Sequence, residues 1–274
     1  IDAKGFAELD KYDVKAVADQ LAAAGVAWFG LTLGQNSGWY ISPNATYEKI
    51  AGYGANERCS KRDIPLELGR ELKARNIRFM LYLPCQTPNG DAKAVGAFGL
   101  DAAAHGDRKF VPGFSEKWAS VIEEWSVRYG DLVSGWWFDG GYEWSRFSEA
   151  DAARDAAAVK KGNPHAVVAF NPGVCFKRAK AADDYTAGEL DEPFKVSFGR
   201  WADGAQGHAL TFLGKTWGNP SPRFSDGEWI GWAGAVAAQG GAITLDVSPE
   251  MPRGTIVPVE LAQLSHIAHA VRFG

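Results

Sequence analysis

The feature that most constrains this chain is a recurring pair of segments. A stretch with apolar residues at helical spacing is followed by a short unbroken apolar run, which ends in glycine, asparagine, proline or an acid. In residues 13–25, Val14, Val17, Ala18, Leu21 and Ala22 fall on one helical face, and Gly25 stops the helix. Residues 26–33 (VAWFGLTL) then read as a buried strand. The pair recurs with a helix over 63–75, carrying Ile64, Leu66, Leu68 and Leu72, and a strand over 77–84. Further helices are expected over 116–129, 148–161 (with Ser148 as its cap), 227–239 and 257–271. Further strands are expected at the run beginning with Gly135 and over 166–170, 196–198, 209–214 and 241–249.

Strands alternating with helices predict a parallel sheet with right-handed crossovers. A length of 274 residues suits a (β/α)8-type, TIM-like barrel. About seven strands are legible, so the first is irregular: it lies in the opening segment 1–10 or outside the numbered chain. Residues 85–112, rich in Gly, Ala and Asp, read as a long irregular loop. No linker-like shift in composition interrupts the chain, so 1–274 is expected to be a single domain.

The net charge of −4 gives no basic footprint, which argues against a nucleic-acid ligand. No apolar run reaches the ~18 residues that span a membrane. Cys59, Cys85 and Cys175 follow no metal spacing, and their odd number excludes complete pairing within the chain. His105, His165, His266 and His269 form no metal set, and no cofactor is expected. The chain holds 11 Trp, 8 Tyr and 15 Phe, and several Trp stand beside Gly, Asn or Pro, where loops are expected. Flat aromatic faces in loops suit the C–H faces of sugar rings; packing in a large core is the competing use.

Residues 135–141 (GWWFDGG) carry the candidate chemistry. A buried strand delivers Asp139 to the carboxyl end of a parallel sheet, where β/α folds place their sites. The two following glycines allow close approach of backbone or ligand. The plain alternative is a cap or an Asp-Gly turn.

The order of motifs resembles glycoside hydrolase family 29, the α-L-fucosidases. The resemblance rests on Arg62-Asp63 through Leu83, on Trp137-Phe138-Asp139-Gly140-Gly141, on Thr216-Trp217-Gly218, and on Gly240-Gly241 through Ser248-Pro249. It implies a retaining glycosidase with Asp139 as nucleophile, acting on an oligosaccharide or polysaccharide, and secreted or periplasmic. Such an enzyme needs a second carboxyl group ~5–5.5 Å away as proton donor. Glu189 is the first choice, with Glu192, Asp203 and His208 as alternatives. Gln35, Asn36, Trp39, Tyr82, Trp137, Glu143 and Trp217 are candidate sugar contacts. The family's His-His pair after the second strand is replaced here by Gln35-Asn36-Ser37-Gly38-Trp39, and its first-strand His-Trp-Gly has no counterpart. A barrel that binds carbohydrate without cleaving it is the alternative reading.

Overall fold

The computed structural model describes residues 2–86, 88–100 and 113–273. In chain order the helices are α1 (Ala3–Ala7), α2 (Val14–Ala24), α3 (Ala45–Ala51), α4 (Ile64–Ala74), α5 (Ala92–Phe98), α6 (Phe114–Tyr129), α7 (Glu149–Gly162), α8 (Asp226–Ala238) and α9 (Pro258–Phe273). The strands are β1 (Trp28–Thr32), β2 (Arg78–Pro84), β3 (Val133–Asp139), β4 (Val167–Phe170), β5 (Trp201–Ala202), β6 (Ala205–Gln206), β7 (His208–Phe212), β8 (Ala242–Asp246), β9 (Pro249–Glu250) and β10 (Thr255–Ile256). Local chemistry sets the helix ends. Asp13, Asn44, Asp63, Ser148 and Ser225 each accept a hydrogen bond from the first turn of the helix that follows. Gly25 and Gly52 close α2 and α3 in the left-handed conformation.

Strands β1 to β4 form one parallel sheet in sequence order, and β7 pairs in parallel with β8. The extended segment 184–190 joins the two groups. Asp184 N–H donates to Val168 O (2.9 Å), Thr186 N–H to Gln206 O (2.9 Å), and Leu190 N–H to Leu210 O (2.9 Å). Among the described residues, β8 and β1 make no backbone ladder, so the barrel stays open along that seam. The Trp28 indole donates to Thr244 Oγ1 across it (2.9 Å), and α2 packs on α9 outside it. Among the described residues this is the α/β barrel architecture, left open between β8 and β1. No helix among the described residues is long and apolar enough to cross a membrane.

The period of two along each strand divides the core. Trp136 and Phe138 face outward into the layer between sheet and helices, with Trp118, Trp125 and Phe170. Trp137 faces the barrel interior with Ala169, Tyr185, Ala187, Met80 and Tyr82. Asp139 shares the parity of Trp137, and Glu189 that of Tyr185 and Ala187.

Three expectations need correction. The opening segment is helical, so it holds no strand. Residues 196–198 form no strand: Val196 and Phe198 are apolar because they pack with Trp229 and Trp232 of α8, and the fifth strand position is taken by 184–190. Within 85–112, residues 92–98 form α5, capped by Asp91, and 101–112 lie outside the described residues. α3 was not legible as a helix because its seven residues span barely two turns.

Gly188 sets the course of the irregular fifth segment. Its φ is +63°, and a Cβ there would stand 1.9 Å from His208 O, a backbone atom with no freedom to move aside. Gly188→Ala is therefore expected to destabilise the protein by at least about 1–3 kcal/mol. In a thermal melt this is a fall of several degrees in Tm.

Candidate active site

The inward-facing residues at the carboxyl ends of the strands form one cluster. Asp139, the last residue of β3, accepts four hydrogen bonds. Tyr82 O–H donates to Oδ2 (2.6 Å). Gly140 N–H (2.8 Å), Asn171 Nδ2 (3.0 Å) and Tyr142 O–H (3.3 Å) donate to Oδ1. A carboxylate, which accepts and does not donate, matches this ring of donors. Tyr82 in turn accepts from Gln35 Nε2, which fixes the direction of its own hydroxyl proton. Burial, with the Asp139 charge adding to it, pushes the phenols of Tyr82 and Tyr142 far up, so both remain donors.

Asn171, fully buried just past β4, connects the cluster to Glu189. The same Nδ2 that donates to Asp139 also donates to Glu189 Oε2. Gly173 N–H donates to Asn171 Oδ1 (3.1 Å), and this bond fixes which way the amide faces. Two acceptors on one amide nitrogen stand about 5 Å apart when the bonds have ordinary length. The Glu189 carboxyl is pushed up, by burial first and then by the charges of Asp139 and Asp191; the Asn171 hydrogen bond opposes the rise.

The other candidates separate clearly. Trp137 is buried, donates its indole N–H to Ala187 O (3.0 Å) and stacks on Tyr82 at 5.3 Å, forming the floor. Trp217, 42% exposed, leans on Phe212 at the rim. Both line a cavity of about 820 Å³ shared with Gln35, Tyr82, Asp139 and Glu189. Asn36 is exposed, and its N–H donates to Gln35 Oε1 (2.9 Å). Trp39 packs against the Phe6 ring (4.7 Å) and the Arg58 guanidinium (4.1 Å), and it is not among the residues lining the cavity. Glu143 is exposed beside Lys177 (4.0 Å).

Of the alternative proton donors, Glu192 is exposed beside Lys195 (3.8 Å). Asp203 sits in the β5–β6 turn, at the amino end of β7 and away from the mouth. His208 is buried at that same end, with Nδ1 on Thr186 O (3.0 Å) and Nε2 on Thr244 Oγ1 (2.8 Å). Burial lowers its pKa to about 4, so it stays neutral. Among the described residues no group of three or more His, Cys, Asp or Glu is arranged to hold a metal.

Sequence reasoning missed Asn171, Tyr142 and Asp246. The parity of β8 sends Asp246 inward at the mouth, where it lines the same cavity. It accepts from Gly218 N–H (2.9 Å), next to Trp217. Burial pushes its carboxyl up to about 6, with the Glu260 charge adding to the effect. The folded pKa lies above the ordinary aspartate value, so the folded state loses stability as pH rises through the window from about 4 to about 6. Asp246→Asn keeps an acceptor for Gly218 and removes the buried charge. It is expected to raise Tm at pH 8 and to leave Tm at pH 3.5 nearly unchanged. Asn171→Ala is expected to move the Glu189 titration further up, which NMR of 13C-labelled glutamate carboxyls reads directly.

No curated protein matches this sequence significantly. Solved structures share the fold at low identity. An endo-fucoidan hydrolase of glycoside hydrolase family 107, MfFcnA4, superposes with a TM-score of 0.73 at 18% identity, over 95% of this chain and 50% of its own. A second, P5AFcnA, gives 0.75 at 13%, over 97% and 87%. The alpha-L-fucosidase AlfC from Lactobacillus casei, in complex with alpha-L-fucose, gives 0.68 at 15%, over 94% and 78%. This chain thus spans about half the length of MfFcnA4. The family model for alpha-L-fucosidase matches residues 3–272, nearly the whole chain, and the chain therefore belongs to the alpha-L-fucosidase family.

Proposed function

We propose that this chain is a retaining glycoside hydrolase acting on α-L-fucosidic linkages, with residues 1–274 as one catalytic barrel domain. The observation that carries the reading is the single Asn171 amide shared by Asp139 and Glu189. One amide nitrogen bonds an oxygen of each carboxyl, which supports the close pairing of ~5–5.5 Å used by retaining glycosidases over the wider spacing that admits the water of an inverting enzyme.

In the first step an Asp139 oxygen attacks the anomeric carbon. Oδ2 is the better placed, since it accepts one hydrogen bond where Oδ1 accepts three. As the C–O bond to the leaving group breaks, Glu189 gives that oxygen its proton. The raised Glu189 pKa keeps the proton available before this step. In the second step ionised Glu189 takes a proton from water. The water oxygen attacks the anomeric carbon, the ester bond to Asp139 breaks, and two inversions give net retention.

A barrel that binds sugar without cleaving it remains the second reading. It is favoured by Gln35 standing where relatives carry the His pair. The carboxyl pair weighs against it, because binding alone does not require a second acid held beside Asp139.

The test is kinetic, on aryl α-L-fucosides and fucose-containing oligosaccharides. Asp139→Ala is expected to lose about 10⁴-fold or more in kcat, and Glu189→Gln about 10²–10⁴-fold on substrates with poor leaving groups. The wild-type profile should lose activity as pH rises through a Glu189 pKa above the ordinary glutamate range, and Glu189→Gln should lack that alkaline limb. The first sugar released should be the α-anomer by NMR. Release of the β-anomer, or full activity in Asp139→Ala, would reject the mechanism.

A further inference from the structure

A turn on the rim of the site is built in a way that the two-carboxyl chemistry does not require. After Asp139 the chain makes a 3-10 turn over Glu143–Ser145. Ser145 lies fully buried beneath it and donates its hydroxyl to Tyr142 O (2.7 Å) and Gly140 O (3.3 Å). Ser145 N–H donates to Tyr142 O (3.2 Å), and Arg146 N–H to Glu143 O (3.0 Å). These bonds brace the turn, which holds Trp144 outward. The indole is 48% exposed, and its inner face stacks on Tyr142 at 5.1 Å with 27° between the planes. Tyr142 O–H in turn reaches Asp139 Oδ1. An open aromatic face thus stands one ring, that of Tyr142, away from the Asp139 carboxyl.

The core does not need this indole. Trp118, Trp125, Trp136 and Trp229 are already fully buried. Trp217 supplies a second held platform. It rises from the loop after β7, across the mouth from the β3 loop, leaning on Phe212 and tied through Gly218 N–H to Asp246. Keeping two indoles in water in fixed orientations withholds apolar area from burial. A ring stacked on each face recovers that free energy.

Resting on the glycosidase reading above, we propose that Trp144 forms an outer sugar subsite and that Trp217 forms its counterpart on the opposite rim. The ligand is then a chain of at least three sugar rings crossing the mouth: one ring on each indole and one between them at Asp139 and Glu189. The bond cleaved is internal to the chain. Exposed Glu143 and Lys177 flank the Trp144 platform with polar groups suited to ring hydroxyls.

The test uses the full chain carrying Asp139→Asn, which leaves substrates uncut, titrated calorimetrically with L-fucose and with α-L-fuco-oligosaccharides of two to six units. Affinity should rise with length to at least three units. Trp144→Ala and Trp217→Ala, each added to Asp139→Asn, should lower the ratio of hexasaccharide to fucose affinity roughly five- to tenfold. Trp144→Phe, which keeps an aromatic face, should recover most of the ratio, which a merely structural loss would not do. An affinity that stops rising at one unit, or an unchanged ratio in folded Trp144→Ala, overturns the proposal and leaves the Asp139–Glu189 reading intact. Failure of that reading shows separately, as retained hydrolysis in Asp139→Ala.

Discussion

The site depends on the alternation of side chains along β3. Trp136 and Phe138 must point outward, because the helical layer is built around them and both are almost wholly buried there. That burial pins the register: slipping by one residue would drive two large rings into the barrel and expose their partners. Once they are fixed outward, Trp137 and Asp139 have no choice but to point inward. The acid reaches the mouth because of the apolar residues on either side of it. The same parity sends Tyr82, Glu189 and Asp246 toward one cavity, and buried Asn171, just past β4, bonds both Asp139 and Glu189 beside it.

Two carboxyl groups that share one amide nitrogen in a half-buried cavity raise an electrostatic problem, since like charges at close range oppose each other's ionisation. The arrangement resolves it asymmetrically. Asp139 accepts from four donors, whereas Glu189 shares a single amide and is otherwise left to burial, which pushes its proton affinity up. Asp139 is ringed by donors, and Glu189 holds its proton more tightly than an ordinary glutamate. Asn171 is central because it fixes the separation while serving both, and Gly173 prevents its amide from turning over. His208 shows the opposite outcome: it is buried at the far end of the barrel, its two nitrogens are already satisfied, and it has no proton to give at neutral pH.

Much of this was legible in the sequence where one residue type carries one consequence. Period-two and period-3.6 patterns gave most of the strands and helices, and the run ending in Asp139 gave the acid at a strand end. Glu189 was legible as a candidate but not as a partner, because the bond that joins it to Asp139 passes through Asn171, a residue that reads equally well as a turn former. The strand containing Glu189 was hidden for a related reason. Gly188 bends it and its pairing is broken into single bridges, so no unbroken apolar run marks it. Trp39 in its Gly- and Asn-rich loop reads as free to meet a ligand, whereas Phe6 and Arg58, distant in sequence, pack against its ring.

The loop after β1 shows how the family's plan has been altered. Relatives are expected to place a histidine pair there against the sugar. Here Gln35 points instead at Tyr82, receives the Asn36 N–H on its own oxygen, and donates into the hydroxyl that bonds Asp139. A side chain position that would read the sugar in the family's plan is here part of the support for Asp139. Under the glycosidase reading, recognition then comes from elsewhere on the wall, and the aromatic faces left exposed are those of Trp217 and Trp144 on the rims. Aromatic faces read the shape of a ring more than the position of one hydroxyl. Under the subsite proposal, a site rebuilt in this way selects for the path of a sugar chain across the mouth over the identity of one terminal residue, which is the property expected of an enzyme that acts within a chain.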